Sequence, residues 1–231
     1  PAQIAWDYDR GRPVGWWRME EGQGDKAYDS SVNGNTGTLT SMDPSNDWVD
    51  GKFGKALDFD GVDDRADVDL RNLGLLRSQT ISAWVKPSGP LGGQAHQAVL
   101  STDPNYQYGV KLMTYKNNAR VGLWIGSGSS NYEAFVSKDV NDGQWHFVSG
   151  VYDYENGTVT IYIDGTGYAP INSGQMLISV STIGKIGIEY HGLGNSYSYN
   201  GQIDDVRLYG YALTADQVKQ VMNEGSVIRF G

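Results

Sequence analysis

The sequence predicts an all-β fold, a two-sheet antiparallel sandwich with one short helix near the C-terminus. Three observations predict it. Short runs with apolar/polar alternation recur along the chain, Asp-Gly and Asn-Gly pairs punctuate them, and one stretch near the end has helical spacing. Alternation of period two marks a strand with one face in a core, and Asn-Gly or Asp-Gly between such runs is a strong local hairpin signal. A chain of 231 residues suits one large sandwich, since all-β units often run to ~200–250 residues. Its 31 glycines are scattered and form no linker, so residues 1–231 are read as one domain with residues 1–13 as an N-terminal extension.

The turns are expected at Asp50-Gly51, Asp60-Gly61, Asp142-Gly143, Asn156-Gly157, Asp164-Gly165 and Asn200-Gly201. Between them, TISAWVKP sets Ile81, Ala83 and Val85 on one face and Ser82, Trp84 and Lys86 on the other. ARVGLWIG sets Val121, Leu123 and Ile125 against Gly122, Trp124 and Gly126, and TVTIYIDG sets Val159, Ile161 and Ile163 against Thr160, Tyr162 and Asp164. The aliphatic face of each strand is expected in the core. The face with one aromatic among small or polar residues is expected to be wetter, which offers Trp84, Trp124 and Tyr162 to solvent. In LTADQVKQVMNEG, Thr214 can cap a helix with Gln217 as its reciprocal partner, Gly225 can close it, and Val218, Val221 and Met222 form one apolar stripe.

Composition removes several classes of function. With no cysteine there are no disulfides, zinc-thiolate sites or thiol nucleophiles. No run approaches the ~18 apolar residues of a membrane span, so no membrane insertion is expected. The chain opens at Pro1 without a charged-then-apolar leader, as is expected of a mature or excised piece. A net charge of −9 argues against nucleic acid, whose phosphates need a clustered positive surface, and suits divalent cations or neutral ligands.

The stretch DSSVNGNTGTL, Asp29 to Leu39, carries one carboxylate and two carboxamides, with Gly34 directly after the first carboxamide and Gly37 two residues after the second. It reads either as a tight turn or as a set of hard oxygen ligands of the kind calcium takes. DGVDDRADVD, with five carboxylates between Asp60 and Asp69, is a rival cluster that reads as the solvated edge of a strand.

Six segments in order resemble the laminin G-like, concanavalin A-like lectin/glucanase jelly rolls. They are GWWRMEEGQGDKAYDSSVNGNTGTL, GKFGKALDFDGVDDRADV, TISAWVKP, DGQWHFVSGVYD, TVTIYIDG and GQIDDVRLYGYALTADQV, spanning Val14 to Val218. The resemblance implies that the first and last strands lie side by side and that a structural Ca2+ sits on the convex side. Carried over residue by residue, its ligands are Asp29, Asn33, Asn35 and Asp204, completed by backbone carbonyls. Asp205 is left out, because in a regular strand it points away from Asp204.

The related glucanases place two glutamates around an aspartate on one strand, and that motif is absent here: Glu20 and Glu21 are adjacent, while Glu133, Glu155, Glu189 and Glu224 stand alone. His146 reads as a strand residue, and His96 and His191 fall in glycine-rich stretches with no adjoining nucleophile. The chain is therefore read as a non-enzyme. GIEYHGLGNSYSYNG, from Gly187 to Gly201, is expected to be a long loop offering Tyr190, Tyr197 and Tyr199 for stacking on sugars, with Tyr106 and Tyr132 as weaker candidates. The leading expectation is an extracellular carbohydrate-binding module, secreted or at a cell surface, that acts as a monomeric part of a larger protein. The alternative is an adhesive or scaffold domain contacting protein. Exposure of the aromatic set along one groove favours glycan, and burial favours the scaffold.

Overall fold

A computed structural model describes residues 11–71, 73–75, 77–88, 96–103, 108–115, 120–178, 183–191 and 195–227. The first strands along the chain are β1 (Gly15–Trp17), β2 (Lys26–Ala27), β3 (Gly37–Thr40), β4 (Trp48–Asp50), β5 (Lys55–Asp60), β6 (Arg65–Asp69) and β7 (Gln79–Pro87). The middle of the chain supplies β8 (His96–Ser101), β9 (Tyr108–Tyr115), β10 (Arg120–Ser127), β11 (Asn131–Ser137), β12 (His146–Asp153) and β13 (Thr158–Ile163). Then come β14 (Thr166–Gly167), β15 (Ile171–Asn172), β16 (Ile183–Ile186), β17 (Ile188–His191), β18 (Asn195–Ser198), β19 (Asn200–Tyr209) and the helix α1 (Ala215–Val227).

The first sheet runs β14-β13-β12-β7-β19-β5-β4, with β1 also on β19 and β15 also on β13. The second runs β11-β10-β9-β8-β16-β6-β3-β2, and β17-β18 forms a separate hairpin. All pairings among the described residues are antiparallel, so the expected sandwich is the observed one. Its core collects the aliphatic faces read from the sequence: Ile81, Ala83 and Val85 of β7 and Val159 and Ile161 of β13, all from the first sheet, share one cluster with Val121, Leu123 and Ile125 of β10 from the second. The first and last long strands are neighbours, with Gly15 opposite Leu208 and Trp17 opposite Val206.

Three of the six expected turns close hairpins. Asp50-Gly51 lies between β4 and β5, Asn156-Gly157 between β12 and β13, and Asp164-Gly165 between β13 and β14. In the last, φ is +50° at Asp164 and +73° at Gly165, the paired left-handed geometry of a two-residue hairpin. Asp60-Gly61 and Asp142-Gly143 instead carry the chain from one sheet to the other, and Asn200-Gly201 begins β19. A local Xaa-Gly signal fixes backbone shape, but which sheet receives the next strand is decided by packing.

The helix follows its sequence signals. Thr214 N–H donates to Gln217 Oε1 at 2.8 Å and Gln217 N–H to Thr214 Oγ1 at 3.4 Å, a reciprocal cap. Val218 and Val221 are buried against Trp84, Phe147, Tyr162 and Tyr209 on the outer face of the first sheet, with Met222 alongside. Burial of such side chains contributes roughly 1.5–3 kcal/mol each. The helix runs past Gly225 to Val227, so that glycine does not close it.

Candidate functional site

The packing of α1 corrects the expectation of a wet aromatic face. Trp84 and Tyr162 stand on the outer side of the first sheet, as alternation requires, but each is only 7% exposed because α1 and the turn holding Phe53 cover them. Trp84 meets Phe53 and Phe147 edge-on at 5.7 and 5.6 Å, and Lys52 Nζ sits 4.3 Å above its ring. Trp124 stands on the opposite sheet, 6% exposed, under Lys111 Nζ at 4.3 Å. The three aromatics therefore do not share a groove.

The segment 187–201 is not a loop. It forms the β17–β18 hairpin and enters β19, and Tyr199 is fully buried edge-on to Phe59 at 6.1 Å. Tyr197 lies half-buried, stacked on His96 at 4.0 Å between ring centres. The side chains of Tyr190 and His191, and all of Tyr106, lie outside what is described. Tyr132 packs half-buried against the core. His96 opens β8 opposite Tyr115, so it too is a strand residue.

What the sequence did not single out is the cluster on the outer face of the second sheet. Register places Tyr115, Arg120 and Ser137 in one row, Met113, Gly122 and Phe135 in the next, and Lys111, Trp124 and Glu133 in the third. Lys111 Nζ donates to Glu189 Oε1 at 2.9 Å with both side chains sealed from solvent, and His96 Nε2 stands 3.6 Å from Glu189 Oε2. Burial opposes ionisation of Glu189, but His96 and Lys111 beside it outweigh that and hold its pKa below the ordinary value. Burial raises that of Glu133, and the Glu189 charge adds to the shift. At the open end Phe135 is 41% exposed and carries the Arg120 guanidinium 4.0 Å over its ring. Arg120 Nε and Tyr115 Oη, neighbours in the ladder, are buried atoms with no hydrogen-bond partner. The signal that could have found this face was the Gly-Trp-Gly alternation of β10, read there only for its tryptophan.

Asp29 organises a turn. Its Oδ1 accepts the N–H groups of Trp16 and Ser31, both at 2.8 Å, and its Oδ2 accepts Ser31 Oγ at 2.7 Å and Asn35 N–H at 2.8 Å. Two carboxylate oxygens offer about four acceptor directions, and these four donors use them within the turn. Asn33 and Asn35 turn their amide nitrogens to the Val14 carbonyl, at 2.9 and 3.5 Å.

Asp204 is differently placed. It is fully buried, its Oδ2 accepts the Phe53 N–H at 2.9 Å, and its Oδ1 has no hydrogen-bond partner. Burial pushes its carboxyl up to about 8, and the nearby negative charges of Asp205 and Glu20 add to the shift. Glu20 faces the same turn, where its Oε2 accepts Lys55 N–H at 3.3 Å. Gly54 there has φ +60°, and any side chain on it would collide with the Glu20 carboxylate. Two carboxylates converging on one turn, one with an unsatisfied buried oxygen, form a donor set that suits a hard divalent cation.

Asp205 does not point away from this side. A bulge between Asp204 and Arg207, with φ +50° at Asp205, keeps it outward, where it pairs with Arg207 at 2.9 Å and accepts Trp16 Nε1–H at 2.5 Å. Among the described residues, three carboxylates gather at Asp60, Asp63 and Asp64. Each is already used locally, accepting from Val62 N–H, Ser41 Oγ and Asp60 N–H respectively. Asp67 and Asp69 lie on β6, which is inside the sheet between β16 and β3 and not at its edge.

Comparison with known proteins places this architecture. Residues 60–219 match the family described as the Concanavalin A-like lectin/glucanases superfamily. Adhesion G-protein coupled receptor V1 of Danio rerio is 27% identical over 157 residues, which is 65% of this chain and 2% of the receptor's length. Domain 4 of AbnA, a GH43 extracellular arabinanase from Geobacillus stearothermophilus solved in complex with arabinotriose, superposes with a TM-score of 0.71 at 23% identity. It covers 91% of this chain and 98% of that domain. The binding domain of botulinum neurotoxin serotype D gives 0.70 at 13% identity over 95% of this chain, which spans 53% of that domain. At these identities the two structures establish the fold. No helix among the described residues is long and apolar enough to cross a membrane.

Proposed function

This chain belongs to the Concanavalin A-like lectin/glucanases superfamily, and from that membership we propose a non-catalytic extracellular module that binds glycan on the outer face of the second sheet. The observation that carries it is the open end of that face. Half-exposed Phe135 lies under the Arg120 guanidinium, beside two buried polar atoms, Arg120 Nε and Tyr115 Oη, that lack partners. An exposed aromatic ring for a sugar's face, with a guanidinium beside it for the hydroxyls, is the chemistry of a saccharide site. That a similarly folded arabinanase domain was solved with arabinotriose supports the same reading.

Catalysis is not part of it. Glu133 and Glu189 have pKa values pushed apart, the pattern of an acid and a nucleophile. Glu189, however, is sealed and held by Lys111, so no substrate reaches it. The Asp204 and Glu20 carboxylates, which meet the turn of residues 51–54 and the start of β5, are the residues that would hold a structural calcium. There it would neutralise buried negative charge and fix the turn against β19.

The second reading, an adhesive domain contacting protein, is favoured by the burial of Trp84, Trp124 and Tyr199, which removes the extended aromatic platform. A glycan array run with and without calcium, with Phe135→Ala and Arg120→Gln as controls, separates the two. The glycan reading expects a specific glycan whose binding falls at least tenfold in both variants while thermal melting is unchanged. Binding that ignores both substitutions, or a failure to bind any glycan, overturns it.

A further inference from the structure

We propose a second saccharide groove on the opposite sheet, along β13, that takes a neutral oligosaccharide. The inference rests on the glycan reading above but assigns a different face of the sandwich. Thr158, Thr160 and Tyr162 stand at alternate positions on the outer side of β13. The segment entering α1 flanks them on one side and Pro170 on the other, leaving a groove of about 1090 Å3. A smaller hollow of about 470 Å3 shares Thr160, Tyr162 and Pro170 with it and continues past Tyr168 to Lys219 on α1. The larger hollow alone reaches the upper end of small-molecule sites, roughly 300–1,000 Å3.

The lining selects the ligand class. Val151, Leu213 and the Tyr162 ring give an apolar floor, while Ser78, Thr158 and Thr160 present hydroxyls. Two carboxylates sit at one end, and both are engaged: Asp153 accepts Asn156 Nδ2–H at 2.6 Å, and Glu155 pairs with Arg77 at 3.0 Å. Among the described residues no Lys or Arg lines the larger hollow, and Arg77 is already paired with Glu155, so an anionic ligand there meets the carboxylates first; Lys219 lines only the smaller hollow. A cationic ligand must compete with partners already in place. A neutral polyhydroxyl chain suffers neither penalty, with ring faces for the floor and hydroxyls for the threonines.

An extended peptide is disfavoured by the sheet itself. β13 is paired with β12 on one side and with β14 and β15 on the other, so the groove exposes side chains and not a free strand edge for a peptide to join.

The test is calorimetric titration of the whole chain with arabinohexaose, xylohexaose and cellohexaose, accompanied by backbone amide shifts of Thr158 and Thr160. Two sites per chain are expected for at least one sugar, with those amides shifting on saturation. Thr160→Arg, or Thr158→Tyr should the first variant melt early, reduces the stoichiometry to one, and Phe135→Ala removes the other site. Binding lost with Phe135→Ala alone and untouched by either groove variant overturns the groove and leaves the first site standing. Binding lost with the groove variants alone keeps the groove and overturns the first site. No binding of the three sugars overturns both, and binding of an extended peptide blocked by Thr160→Arg assigns the groove to protein.

Discussion

Lys111 Nζ and Glu189 Oε1 lie 2.9 Å apart with side chains 0% and 2% exposed, joining the middle of the second sheet to the β17–β18 hairpin that lies over it. A charge pair buried this completely repays its desolvation only while both members are present. Lys111→Met is therefore expected to cost about 3–5 kcal/mol, while Lys111→Met with Glu189→Leu recovers most of the loss. Urea unfolding of the three proteins measures this. A single-variant cost near the ~0.2–1 kcal/mol of an exposed pair would mean that the pair does not seat the hairpin.

The buried and exposed aromatics should separate stability from binding. Trp84, packed between Phe53 and Phe147, is expected to lose about 3–5 kcal/mol as Trp84→Ala, with glycan affinity of the folded fraction unchanged. Phe135→Ala, at a 41% exposed position, should change stability by no more than about 0.5 kcal/mol and weaken binding. Melting curves and titrations on both variants decide it, and the reverse pattern would take the ligand off the outer face of the second sheet.

The contrast between those two residues marks how far the sequence could be read. Period-two alternation identified which face of β7, β10 and β13 enters the core, because that follows from local pleat geometry. It could not reveal that the other face of β7 and β13 would be covered too, since α1 comes from more than fifty residues further on in the chain. Asp205 was misplaced for a related reason. Alternation assumes a regular strand, and a bulge with positive φ breaks it. Phe135 and Arg120 were invisible as a pair because register between β10 and β11, and not spacing along either, brings them together.

Stability should depend on pH through His146. Its Nδ1 is 2.8 Å from Asp164 Oδ2 and its Nε2 3.0 Å from Asp142 Oδ1. Burial alone would lower its pKa, but the two carboxylates outweigh that and raise it. The folded state then holds the proton more tightly than the unfolded chain. The contribution is full below the unfolded value of about 6.5 and is lost as pH rises through the raised folded value. Asp142, held low by the Gln144 N–H and by His146, keeps its share above about 4 and loses it as pH falls further. His146→Asn should therefore lower the melting temperature by a few degrees near pH 5.5 and by much less at pH 9. An equal deficit at both pH values would show that the imidazolium contributes nothing.

Calcium, if held by Asp204 and Glu20, stabilises only the folded state, because β19 and the turn of residues 51–54 meet only there. Binding to the native form alone adds RT ln(1 + [L]/Kd), about 2.7 kcal/mol at a hundredfold excess over Kd. A chelator should then lower the melting temperature by several degrees, and added calcium should restore it. Asp204→Ala should make the protein indifferent to both reagents, whereas Asp29→Ala should weaken the turn, which its four hydrogen bonds hold, yet leave the calcium response intact. Glu20→Gln should reduce the response without abolishing the fold. A calcium response that survives Asp204→Ala but vanishes in Asp29→Ala would return the ion to the first turn. A melting curve that ignores the chelator, together with metal-free elemental analysis, would leave Asp204 as a buried carboxyl that keeps its proton near neutral pH.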